Sequence, residues 1–231
     1  MRKLLPLAGI LLLVGLLMSA CKKDYYVDGG LADPHYNGTV YDYLVKNPYL
    51  FDTIAFIVEK AGLKDMLQND SVTFFAPTDQ SIGDALGQLN EYRYIMVEDS
   101  AHLSDIPGSV WRKFLMRYIM KGKHTANQFA RVDPNNVYAY PGINYVMAEG
   151  YIVNIGLIYQ NYNGVEAVGA RVLRLTDITY DPVTYRNNPY VMVASSDIQP
   201  TNGVIHALNI KHTFGFRGDF LNAAEQALQN Q

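Results

Sequence analysis

Asp197 and His206 are the residues whose setting most asks for chemistry, because each is a polar group embedded in apolar sequence. They lie in VMVASSDIQPTNGVIHALNI, residues 191–210, which also carries Ser195 and Ser196. A hydroxyl, an imidazole and a carboxylate are the parts of an acyl-transfer relay, in which the imidazole takes the hydroxyl proton and the carboxylate orients the ring. Composition alone often places such a set in one hairpin. Only a cleft joining His206 to an accessible Ser195 or Ser196 would make the stretch a hydrolase. Without a reaction to serve, a buried Asp197 or His206 must find a hydrogen-bond partner or cost roughly 1–3 kcal/mol.

Other chemistry-bearing patterns are missing. The chain has no G-x-S-x-G elbow, no H-E-x-x-H, no G-x-G-x-x-G and no G-x-x-x-x-G-K. Its five histidines, His35, His102, His124, His206 and His212, lack metal-ligand spacing, so neither a metal nor a cofactor is expected. Tyrosine is the remaining feature of interest. Eighteen are present, and Tyr138, Tyr140, Tyr145, Tyr151 and Tyr159 fall on successive predicted strands, with Tyr162 in the turn that follows. Exposed and coplanar, they would form a rigid amphipathic surface for sugar rings or protein side chains; the plainer account is that tyrosine favours pleated, half-buried positions. Period two puts Tyr138 and Tyr140 on one strand face.

The elements that must position these residues are legible in the local pattern. Residues 191–194 and 204–208 are β-branched runs, and QPTNG between them is turn chemistry, so the stretch is predicted to be a hairpin with positive φ at Asn202 and Gly203. Far upstream, TFFAPTDQS at 73–81 reads as a short buried strand ended by Pro77 and running into a helix that Thr78 caps and Asp79 begins. That corner is the expected partner of His206, through Thr78 or Asp79. Helices are further predicted from Thr39, from Pro48 to Gly62 with apolar residues at spacings of three and four, over 79–89, and from Pro107 to Gly122 carrying Trp111, Phe114 and Tyr118. Strands follow over 137–140, 143–148, 151–160 and 165–175, separated by turn residues, and a last helix is expected after Leu221.

Together, TFFAPTDQS, SDIQPTNGVIHALN and the helical lead-in TVYDYLVKNPYLFDTIAFIVEKAGL resemble the signature of fasciclin-like (FAS1) domains, in the family's order. The resemblance runs from Thr39 to about Lys211. It implies an α+β fold in which antiparallel β-sheets form a wedge or sandwich flanked by several α-helices, with Thr78, Asp79, Tyr118, Asn202, Gly203 and His206 as motif residues. Residues 176–189 read as an insertion relative to a minimal domain of this kind, and 213–231 as a C-terminal extension with a short helix. In the family the helix ending near Tyr118 leads to a Tyr-His pair; here the next residue is Ile119, with His124 nearby. Asp197 and Ile198 coincide with the Asp-Ile pair that animal fasciclin-like domains have been proposed to present to integrins. Their plain roles would be turn acceptor and core residue. Arg217-Gly218-Asp219 is an integrin-type tripeptide of a length that chance supplies.

The chain's start reads as an address. Arg2 and Lys3 precede an apolar run that is too short to span a bilayer and ends in Ser19-Ala20 before Cys21, the one cysteine. Residues 1–20 therefore read as a signal peptide, and Cys21 resembles the lipidated cysteine of a bacterial lipoprotein. Several acyl chains, at about 0.8 kcal/mol per buried methylene, would make a lasting anchor. Residues 21–38 are a polar, glycine-containing tether. Lys22-Lys23-Asp24 resembles outer-membrane sorting, with outward display, in Gram-negative bacteria. Removing the leader takes two of 19 basic residues, leaving 17 against 22 acidic, a net charge of −5. With no Lys/Arg cluster beyond a pair, nucleic acid is not an expected partner. The sequence thus predicts a non-catalytic, outer-membrane, lipid-anchored protein for adhesion or ligand binding, with protein or glycan ligands at the cell surface through Asp197, Ile198, Tyr138, Tyr140, Tyr145 and Tyr151. The alternative is a glycan-binding accessory protein of a nutrient uptake system.

Overall fold

A computed structural model describes residues 33–184 and 187–230. Cys21, the leader and nearly all of the tether lie outside the described residues. The chain order is β1 (His35–Tyr36), α1 (Val40–Lys46), α2 (Pro48–Lys60), α3 (Lys64–Asn69), β2 (Val72–Ala76), α4 (Asp79–Ile95), α5 (Gly108–Leu115), β3 (Ile119–Lys121), β4 (Ile143–Val146), β5 (Ile152–Tyr159), β6 (Arg171–Asp177), β7 (Tyr190–Pro200), β8 (Gly203–Leu208) and α6 (Asp219–Gln229).

Local chemistry explains three of the helix ends. Thr39 and Asp42 form a reciprocal capping box at α1, Pro48 occupies the first turn of α2, and Gly62 at φ +65° closes α2. Within the predicted Pro107–Gly122 helix the chain instead passes from α5 through a 3₁₀ turn at Met116–Tyr118 into β3, which hydrogen-bonds to β2. Trp111 and Phe114 point inward against Phe214 and Phe220, so the segment leading into α6 shares the main core.

The strands run in the order β3-β2-β8-β7-β6-β5-β4, with β1 added along β7. The fold is α+β, a wedge-like sheet flanked by six helices among the described residues. It is mixed rather than wholly antiparallel: β2 pairs parallel with β8, and β1 parallel with β7. The early strand-to-helix corner and the late hairpin are therefore neighbours in one sheet, and β7 of the hairpin continues directly into the β5–β6–β7 meander.

One predicted strand is absent and another is shortened. Residues 137–140 form turns, because Pro134 and Asn135 redirect the chain and the Asn136 carbonyl accepts from both Ala139 and Tyr140 N–H. The 165–170 part of the fourth run is likewise irregular, with Asn163, Gly164 and Ala167 at positive φ, so that pairing begins only at Arg171. The segment between β6 and β7 begins later than sequence suggested, since Thr176 and Asp177 belong to β6.

Candidate functional site

In β2, Phe75 sits directly opposite His206 of β8 and the two rings stack at 5.0 Å. His206 is fully buried, and both its nitrogens are committed. Nε2 lies 2.9 Å from the His124 carbonyl and so carries the proton, while Nδ1 accepts from the Asp197 backbone N–H at 3.3 Å. Burial holds the imidazole below its usual pKa, opposed in part by the His124 carbonyl and the Asp197 charge. The first box contributes through Thr73, whose hydroxyl donates to the Gly122 carbonyl and accepts from His124 N–H, fixing the carbonyl that His206 meets. The expected bond from His206 to Thr78 or Asp79 is not made. Asp79 instead accepts from Ile54 N–H of α2 at 3.0 Å, and the buried Thr78 hydroxyl has no partner although its backbone occupies the cap position of α4.

Asp197 lies where the β7–β8 register slips, at φ +62°, so it marks a bulge. Its carboxylate accepts from Ala126 N–H at 2.6 Å, far from its own turn rather than within it, and Ile198 packs half-buried on the core. Ser195 and Ser196 are exposed while the His206 imidazole is enclosed and bonded at both nitrogens, so neither serine is joined to it in a relay. Asn202 is a three-way strut: its Oδ1 accepts from Val40 N–H at 2.8 Å and its Nδ2 donates to the Leu67 and Asp70 carbonyls. Neither Asn202 nor Gly203 has positive φ. Gly203 is required instead by close approach, since a Cβ there would lie 2.5 Å from the Val72 carbonyl oxygen and 2.6 Å from Val40 Cγ2.

Tyr118 is fully buried and meets an imidazole after all, at His212 rather than in the next position. Its hydroxyl lies 2.6 Å from His212 Nε2 and accepts from Gly215 N–H at 2.6 Å, so the hydroxyl proton points at the ring nitrogen. Burial drives the phenol well above its ordinary pKa and pushes His212 down to about 3. The integrin-type tripeptide is likewise tied inward: Arg217 pairs with Asp177, and Asp219 with the buried Arg117 at 2.6 Å.

The tyrosines do not form one plane. Tyr138 stands 87 % exposed in a turn, whereas Tyr140 lies under the Arg131 guanidinium, 3.7 Å from its ring centre. Tyr145 packs edge-on against Phe129, and Tyr151 stacks on Phe216 beneath Arg117, its hydroxyl pushed up to about 12 chiefly by burial. What sequence reasoning missed is that arginines cover these rings: Arg131 and Arg171 flank Tyr159, and Arg174 covers Tyr190. The available signal was RVLRLTD, a charge in mid-strand. No cluster of metal-ligating groups occurs among the described residues, and no helix there is long and apolar enough to cross a membrane.

Against known proteins, the sequence matches the family model "Fasciclin domain" over residues 50–210. No curated protein matches the chain. Among solved structures it is similar to one from an insect, described as "Novel Fold Revealed by the Structure of a FAS1 Domain Pair from the Insect Cell Adhesion Molecule Fasciclin I". Identity is 15 %, the TM-score 0.47, and the likeness covers 74 % of this chain and 49 % of that one. The chain thus spans about half the length of that structure.

Proposed function

We propose that this chain, which belongs to the Fasciclin domain family, is a non-catalytic adhesion or ligand-binding protein held at the cell envelope by lipid on Cys21. Fasciclin domains are associated with cell adhesion. The observation that carries the non-catalytic part is the occupation of His206: a ring with both nitrogens bonded to backbone, and no hydroxyl within its reach, has neither a proton to take nor a nucleophile to activate. Asp197, Asn202 and Asp219 are similarly spent on internal bonds. Contact with a ligand then falls to the outer surface, where Tyr138 and Tyr162 stand exposed. Placement in the outer membrane rests on the leader, Cys21 and the residues after it.

Two measurements test this. Cells making the full chain should incorporate labelled palmitate, and Cys21→Ser should abolish incorporation; equal labelling of both removes the anchor. Those cells should also attach to a matrix-protein or glycan array more than cells lacking the chain, and equal attachment removes the adhesive role. The second reading, a glycan-binding accessory protein for nutrient uptake, is favoured by the aromatic and polar lining of a cavity on the meander. On that reading glycan spots, not protein spots, retain the cells.

A further inference from the structure

A cavity of about 1050 Å³ opens beside the meander, between β5–β7 and the segment 131–135. Such a volume is at the upper end of what ligand sites have. Its floor is built by close packing. Val132 lies over Gly156, where any Cβ would come within 2.6 Å of it, and Val132 N–H and Leu157 N–H exchange backbone bonds with Leu157 and Ala130 carbonyls. Arg174 is the register partner of both Gly156 and Met192, which places it at the centre of this floor.

Arg174 is 5 % exposed, and among the described residues its side chain makes no hydrogen bond or ion pair; its Nε is buried without an acceptor. Its neighbour is the Tyr190 ring, 3.9 Å away. The other arginines with buried nitrogens each have a carboxylate: Arg117 has Asp219 and the Gly215 carbonyl, while Arg131 and Arg217, which also bury one nitrogen without an acceptor, have Asp133 and Asp177. A guanidinium has five donors and no way to lose its charge near neutral pH, so leaving it enclosed and unpaired is costly. A ring face offsets only part of that. The missing partner is an anion that enters from the cavity. Burial lowers the Arg174 pKa, the sign expected of a cation lacking its counter-charge.

The rest of the lining says what carries that anion. Asp133 and Glu166 stand on the wall with Asn135 and Gln160; Asp133 Oδ1 accepts from Asn135 N–H at 3.0 Å, and its Oδ2 lies 3.8 Å from Arg131. These two carboxylates offset Arg131 and Arg174, so the lining has no net positive charge for a ligand with several negative charges, such as a polyphosphate, a membrane surface or a run of acidic residues. The carboxylates suit a body rich in hydroxyl donors, as do the two amides. Tyr190, 55 % exposed beside its contact with Arg174, supplies the apolar wall on which a ring can lie. We propose that this cavity binds a sugar bearing a carboxylate, with Arg174 receiving the carboxylate and Asp133, Asn135 and Gln160 receiving its hydroxyls. This deepens the glycan reading above and rests on it.

Titration calorimetry with the full chain in detergent tests it, using a xylobiose bearing one glucuronate, its methyl ester with the same rings uncharged, and a short oligoglutamate peptide. The acid should bind, and the ester at least tenfold more weakly. Arg174→Gln should weaken the acid at least tenfold while leaving the urea midpoint unchanged or raised, because it removes an unpaired buried charge. Arg174→Lys, which keeps charge but loses the fork, should fall between. Equal binding of acid and ester, or undiminished binding by Arg174→Gln, overturns the role of Arg174. Preference for oligoglutamate overturns the sugar, and failure of all three probes overturns the site. Array attachment that survives in Arg174→Gln cells would show that such a failure belongs to this cavity and not to the adhesive role.

Discussion

Two imidazoles are held neutral in the interior, and His212 allows the consequence to be worked through. Its pKa is pushed down to about 3 by burial, against about 6.5 in an unfolded chain. Between those values the unfolded state binds a proton that the folded state refuses, so stability is full above pH 6.5 and falls as the pH drops toward 3. At pH 5 the deficit is about 1.5 pH units, or about 2 kcal/mol, and it grows to about 5 kcal/mol near pH 3. His206 acts in the same direction. The depressed carboxyls of Asp42, Asp177 and Asp181 also lose stability with acid, but only below the ordinary carboxylate range near pH 4. The interval from pH 7 to 5 therefore isolates the imidazoles. His212→Gln keeps an oxygen that can accept from Tyr118 and cannot titrate, so its stability loss over that interval should be smaller than that of the unaltered chain by about 2 kcal/mol. Urea unfolding at half-unit pH steps reads this directly, followed by fluorescence of Trp111, the one tryptophan, packed 5.1 Å from Phe220. Identical slopes for the two chains, or greater stability at pH 5 than at pH 7, would refute the reasoning.

Other outcomes follow from single contacts. Asn202→Ala strips the partner from Val40 N–H and from two carbonyls, and should cost about 3 kcal/mol in urea unfolding; less than 1 would mean water replaces the strut. Gly203→Ala drives a Cβ into the Val72 carbonyl and Val40, for a loss of about 1–3 kcal/mol, although φ there is ordinary. Asp219→Ala leaves buried Arg117 with only the Gly215 carbonyl and should cost about 2 kcal/mol. Since that carboxylate is occupied, soluble Arg-Gly-Asp peptide should not compete for attachment of cells bearing the chain; competition would show that the tripeptide opens.

How much of this was legible follows from how far apart the cooperating residues lie. The capping box at Thr39, Pro48 at the head of α2 and Gly62 at its end are decided by neighbours within a turn, and sequence shows them. The strand at 72–76 and the hairpin at 190–208 were also visible, because their β-branched runs are bounded by proline and turn residues. Their parallel pairing was not, because nothing in either segment encodes the direction of the other. Residues 137–140 misled because alternating Val, Tyr and Ala has strand propensity, while the deciding carbonyl of Asn136 lies just upstream. Tyrosine count likewise carried no direction: Tyr138 and Tyr140, two apart, end in different surroundings because they share no strand.

The two signature stretches are spent on holding the sheet together. Asn202 reaches back 162 positions to Val40, Asp197 reaches 71 to Ala126, and His206 reaches 82 to His124. Each bond satisfies a polar group that the hairpin would otherwise bury alone, so these residues specify where the late ribbon docks and leave little of themselves for a ligand. A family signature made of such struts identifies a scaffold and is silent about what the scaffold holds. Specificity must then come from residues outside the signature whose own needs the fold leaves unmet. Arg174 is such a residue: it stands in the middle of a strand, enclosed, charged and without a counter-ion among the described residues, beside a cavity that admits one.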